Sequence, residues 1–202
     1  MSLSPNKTQI RFVIKPLVFG AALIPFALLL LRIFEIYGSG LGPNPIETVQ
    51  DELGIWGLRL ILISLAVTPL AWLLKKPWPL RLRRMLGLYA FFYCCLHFLV
   101  WLLLDQRLNM TAIIEDVIKR PFITLGTLAL LLLIPLAITS TAGWQKRLGK
   151  RWLNLHRLVY PIAVLIVWHY YWQVKLDALD AIAYSLLLAG LLGLRLWKRK
   201  RL

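Results

Sequence analysis

The chain has 202 residues, 59% of them hydrophobic, and carries 24 Lys and Arg against 9 Asp and Glu, a formal charge of +15. A mean hydropathy of +0.70 excludes a soluble globular domain, which needs polar surface that this composition lacks, and suits membrane helices that need polar groups only at their ends. The positive charge is dispersed among alternate loops instead of gathered in one patch, so the expected contact is membrane lipid and no nucleic acid.

At about 20 apolar residues per span, the length has room for about six helices. The fold expected is all-α and integral to the membrane, a bundle of about six transmembrane helices forming one domain over 1–202. The first apolar segment runs from about Leu17 to Ile33 behind Lys7, Arg11 and Lys15. It is long, contains Pro25 and has no small-residue cleavage site after it, so it reads as an uncleaved helix. A turn-rich loop from Gly38 to Glu47 follows, then a second helix over about Ile55 to Leu74, interrupted by Pro69.

Arg81, Arg83 and Arg84 lead into a third helix, about Leu86 to Leu104. Its adjacent Cys94 and Cys95 point in different directions and read as small buried groups instead of a disulfide or metal pair. Asp105 to Arg120 form a polar connection, in which Thr111 to Lys119 suit a short interfacial helix. Helix four covers about Phe122 to Ala142, with a kink expected at Pro135. The fifth apolar run, Leu155 to Trp172, follows Lys146, Arg147, Lys150 and Arg151; Lys175, Asp177 and Asp180 lead to helix six, about Ala181 to Leu196, and a basic tail from Lys198 to Arg201. No internal repeat stands out.

With the N-terminus placed inside, the basic clusters at Lys7 to Lys15, Lys75 to Arg84, Lys146 to Arg151 and Arg195 to Arg201 all fall on the inner side, and every acidic residue falls on the outer side. This bias predicts cytoplasmic termini.

The chain has 3 histidines, and all lie in or beside apolar runs. Ionisable groups at membrane depth are costly and functional by default, and imidazole is a common ligand for metals and haem iron. His97 precedes Asp105 by the same eight residues by which His169 precedes Asp177, which puts both about 12 Å below the outer end of their helices. Two imidazoles on different helices at one level can hold a haem iron from both faces, although a neutral hydrogen-bonded pair would also satisfy them. His156 lies about 20 Å further in on the fifth run, roughly 140° round an ideal helix from His169, with Pro161 between them. The third helix offers Arg83 and Arg84 at that inner level, so His156 is open between ligation and a structural role. Arg83, Arg84 and Arg157 could bind propionates, a flavin phosphate, a quinone headgroup or lipid phosphates. Arg59 is placed near the outer end of helix two, and the tryptophans read mainly as an interfacial belt, with Trp168 a candidate wall beside a bound ring.

Several ordered motifs carry a resemblance. Asn44-Pro45-Ile46-Glu47 with Gly54, Thr68-Pro69-Leu70, and Arg83-Arg84-Met85-Leu86-Gly87-Leu88 resemble the MsrQ (formerly YedZ) family, as do Arg120-Pro121-Phe122-Ile123-Thr124-Leu125-Gly126 and Leu136-Ala137-Ile138-Thr139-Ser140. Leu148-Gly149-Lys150-Arg151-Trp152, Leu155-His156-Arg157-Leu158-Val159-Tyr160, His169-Tyr170 and Val174-Lys175 extend the resemblance over nearly the whole chain. The family belongs to the ferric-reductase-like transmembrane group, b-type cytochromes of the bacterial inner membrane. The resemblance implies that His97, His169 and His156 are iron ligands, that one haem b is bound with a second left open, and that FMN is a further candidate cofactor. It implies electrons from the quinone pool or a cytosolic flavin reductase and delivery to MsrP, a periplasmic molybdopterin enzyme that reduces methionine sulfoxide in oxidised envelope proteins. Helix three lacks the second histidine of larger eukaryotic relatives, and with no flavin or nicotinamide domain an external donor is needed. The chain is then an electron-transfer subunit with no atom-transfer chemistry of its own. A general ferric or quinone reductase is the alternative within redox chemistry; a small transporter or structural subunit is the alternative outside it.

Overall fold

The computed structural model describes residues 4–38, 40–174 and 178–200. Lys175 and Asp177, which set the outer connection and the depth of His169, lie outside the described residues, as does Arg201 of the basic tail. All regular structure among the described residues is helical, and the chain packs as two compact units that divide after Asp105. Among the described residues five helices are long and apolar enough to cross a membrane, Lys7–Ile33, Pro45–Leu73, Trp78–Asp105, Pro121–Ile138 and Leu179–Lys198, and the protein is a multi-pass membrane protein.

In the first unit, α1 (Lys7–Ile33) starts earlier than its apolar run. Asn6 and Gln9 cap it reciprocally: the Asn6 side chain accepts from the Gln9 amide at 2.7 Å, and the Gln9 side chain accepts from the Asn6 amide at 2.9 Å. Beside Pro25, the buried Tyr93 hydroxyl enters the helix ladder. It donates to the Ala22 carbonyl at 2.8 Å and accepts from the Phe26 amide at 3.1 Å, so both groups of that opened rung are satisfied.

The second helix, α2 (Pro45–Leu73), begins ten residues before the expected Ile55 and runs unbroken through Pro69. Proline at the first helical position has its φ pre-set and loses no bond there, and Asn44 donates to Glu47 of the first turn at 2.7 Å. The Asn-Pro pair taken as loop is therefore a helix start. Arg32 at the end of α1 pairs with Glu52 of α2 and also donates to the Gly40 carbonyl at 3.3 Å, closing the intervening turn. Helix α2 is the centre of the unit, burying Leu53, Leu58, Ile61 and Leu65. Against it packs α3 (Arg83–Val100), entered through a 3₁₀ turn at Trp78–Leu82 and extended by a π-helical turn at Trp101–Asp105.

The second unit opens with the expected short helix, α4 (Met110–Lys119), capped by the Asn109 side chain, with Met110, Ile114 and Ile118 exposed along one face. Helix α5 (Pro121–Ile138) ends short of Ala142, because the hydroxyls of Thr139 and Ser140 turn back to the Pro135 and Leu136 carbonyls at 2.6 and 2.7 Å. The basic connection folds as two short helices, α6 (Ala142–Leu148) and α7 (Lys150–His156), separated by Gly149 at φ +50°.

The expected continuous fifth helix is broken. His156 ends α7, and a new helix, α8 (Val159–Gln173), carries His169. Pro161 has no amide to offer the Arg157 carbonyl, and its ring crowds that group; the carbonyl instead accepts from Tyr160 at 3.1 Å. The separation and angle expected for His156 and His169 on one helix therefore do not apply. At 15 residues α8 is about 22 Å long, which is why it does not join the five full-length spans. Helix α9 (Ala178–Lys200) completes the unit, with Tyr170 edge-on to Tyr184 and Arg195 over the Tyr160 ring.

Candidate functional site

Two histidines are held in the same way, one in each unit. His97 on α3 directs Nδ1 to the Gln50 carbonyl of α2 at 2.8 Å. His169 on α8 directs Nδ1 to the Phe122 carbonyl of α5 at 2.6 Å. In both pairs the carbonyl lies 47 residues before the imidazole. Four residues after each carbonyl stands a glycine, Gly54 or Gly126, and an ideal Cβ there would meet the corresponding Nδ1 at 2.9 Å. Each member of the second set follows its counterpart by the same interval along the chain: 50 to 122, 54 to 126, 97 to 169.

A carbonyl oxygen only accepts, so Nδ1 carries the proton in both rings and Nε2 carries the lone pair. That is the tautomer a metal ligand needs, and a ligating imidazole characteristically gives its other N–H to a carbonyl or carboxylate. Among the described residues no three or more His, Cys, Asp or Glu side chains gather into a metal cluster. A bare ion would want three or four protein ligands. A haem iron brings four nitrogens of its own and asks only for axial donors, so these residues fit haem.

His156 differs. Its Nε2 lies 3.0 Å from the Thr139 hydroxyl, and its ring stacks on Trp152 at 3.9 Å between centroids. The single Thr139 proton is committed to the Pro135 carbonyl at 2.6 Å, so His156 Nε2–H is the donor. The Trp152 indole N–H donates to the Thr139 carbonyl at 2.9 Å, which ties α7 to the end of α5. Iron ligation by His156 would require its Nδ1 or release of Thr139.

The other expected site residues are spread out. The carbonyl of half-buried Arg83 accepts from Ser64 at 3.4 Å, while Arg84 and Arg157 are exposed. Because α2 starts at Pro45, Arg59 is not near its outer end; it sits at mid-helix, about 21 Å along, with its guanidinium 5.0 Å from the Trp56 ring centre. Trp168 is 46% exposed and packs edge-on against Trp172. The sequence alone gives no role to the residues that hold His97 and His169. The available signal was the equal spacing from Gly54 to His97 and from Gly126 to His169.

Helices that close one imidazole in each unit onto a neighbouring backbone carbonyl, among five long enough to span a membrane, define a multi-pass helical membrane protein with candidate ligands for a prosthetic group. Residues 53–167 match the family model described as ferric reductase like transmembrane component, so the stretch includes His97 and His156 and ends just before His169. The chain is 49% identical over 188 residues to the protein-methionine-sulfoxide reductase heme-binding subunit MsrQ of Xanthomonas axonopodis pv. citri (strain 306), covering 92% of this chain and 86% of that one. It is 47% identical over 206 residues to the subunit of the same description from Herminiimonas arsenicoxydans, covering 99% and 93%. The chain therefore belongs to the ferric-reductase-like transmembrane family, within its MsrQ group. No solved structure matches it.

Proposed function

We propose that this chain is the haem-binding, electron-carrying membrane subunit of a methionine sulfoxide reductase system, in which Nε2 of His97 and Nε2 of His169 would be the donors that hold haem b. The observation that carries this reading is the twin arrangement of imidazole, helix carbonyl and glycine, which presents the same tautomer from each unit. The relatives named as heme-binding subunits support the cofactor and the system. When bound, the haem would supply one-electron redox chemistry. The protein's part is to hold both rings, exclude water and set the potential.

The charge distribution along the chain supports an inner-membrane location with both termini cytoplasmic and the His97 end of α3 facing the periplasm. In that orientation His156, Arg157 and the neighbouring basic helices lie on the cytoplasmic side, where quinol or a flavin reductase would donate. The acceptor is then a periplasmic molybdoenzyme of the MsrP type. The test is purification in detergent after expression with ample haem, alone and with the periplasmic enzyme. A reducible b-type spectrum that is reoxidised through the partner by methionine sulfoxide is expected. A colourless protein would overturn the reading; a coloured one that never delivers electrons to the partner would leave a general ferric or quinone reductase.

A further inference from the structure

In an α-helix the carbonyl of residue i bonds the amide of residue i+4, which occupies one of its two lone-pair directions. Every Cα–Cβ bond tilts toward the helix N-terminus, so a side chain at i+4 overhangs that same carbonyl. A Cβ at position i+4 therefore crowds an imidazole that approaches the second lone pair from a neighbouring helix, and a glycine there removes the obstacle. Gly54 stands four residues after Gln50 and Gly126 four after Phe122, the two carbonyls that take His97 and His169.

Neither glycine needs a special backbone angle, since both lie within helices and neither has positive φ. What each supplies is space against a ring. An added Cβ at Gly54 would lie 2.9 Å from His97 Nδ1 and 3.1 Å from Cε1; at Gly126 it would lie 2.9 and 3.0 Å from the same atoms of His169. By contrast Gly20 and Gly190 have nothing within 4 Å. A planar ring fixed by its own hydrogen bond cannot yield at one edge alone, so a methyl group at either position displaces Nδ1 from its carbonyl.

We propose that Gly54 and Gly126 are positioning residues for the imidazoles of His97 and His169, each keeping its ring on a helix carbonyl and thereby lowering the reduction potential of the haem that the rings would hold. This rests on the haem reading above. Donation from Nδ1–H makes the imidazole a more basic ligand, and a more basic donor favours the oxidised iron. Loss of the bond raises the potential and weakens retention of the haem.

The test compares Gly54→Ala and Gly126→Ala with Gly20→Ala and Gly190→Ala in the full chain, reading haem per polypeptide and the midpoint potential by redox titration. Gly54→Ala and Gly126→Ala should each raise the potential and at least halve haem content; the two controls should match the parent. An unchanged potential and haem content in G54A and G126A would overturn the inference while leaving the haem reading intact, whereas a parent chain without haem would overturn both. A second measurement covers variants that fail to accumulate. In the parent chain labelled with ¹⁵N-histidine and reduced to the diamagnetic ferrous state, two Nδ1 protons should exchange slowly with solvent. Rapid exchange of both would contradict the proposal.

Discussion

The hairpin of α2 and α3 in the first unit and the pair α5 and α8 in the second solve one problem with almost no shared sequence. Each brings an imidazole against a carbonyl and leaves a glycine one turn further along. Their inner ends differ. The interval that carries His97 to His169 carries Arg84 to His156, so one unit ends in an exposed guanidinium and the other in an imidazole tied to Thr139 and Trp152. The lesson is that the two units match in how His97 and His169 are held and differ at Arg84 and His156, which makes His97 and His169 the pair to test together.

Breaking the outer equivalence should produce the largest effect. His97→Ala and His169→Ala should each cost about tenfold or more in haem retained, measured as haem per polypeptide. Comparable losses from both sharpen the comparison; loss from one only would show that the two arrangements do not act together. Disturbing the inner end should do less. Thr139→Val removes the acceptor for His156 Nε2–H and should cost about 1 kcal/mol of stability, read as a lower melting temperature in detergent, with haem content unchanged. A loss of haem as large as that from His97→Ala would show that the inner imidazole serves the same iron.

Much of the fold was legible because long apolar runs and alternating charge dictate membrane helices with polar connections. Boundaries were less so. The Asn44-Pro45 pair read as a turn, although proline at a first helical position favours a start, and this moved Arg59 from a helix end to mid-helix. The apolar run from Leu155 to Trp172 reads as one helix, but Pro161 ends it, because the missing amide and the crowded Arg157 carbonyl fall where α7 would have to continue.

The histidines themselves could be picked out as rare polar groups in apolar surroundings. Their holders could not. A backbone carbonyl places no demand on its own side chain, so Gln50 and Phe122 share no feature in sequence, and a glycine contributes only an absence. The repeat is therefore carried by a few residues at equal spacing, chiefly Leu53, Gly54, His97 and Asp105 against Leu125, Gly126, His169 and Asp177, which composition and periodicity do not register.

The most direct test uses the fact that the chain has only 3 histidines. In the His156→Ala protein, the imidazoles that remain are His97 and His169. The near-infrared magnetic circular dichroism of its oxidised haem should keep the charge-transfer band of a low-spin bis-imidazole iron. A high-spin or single-imidazole spectrum, or no haem, would contradict the pairing of His97 with His169.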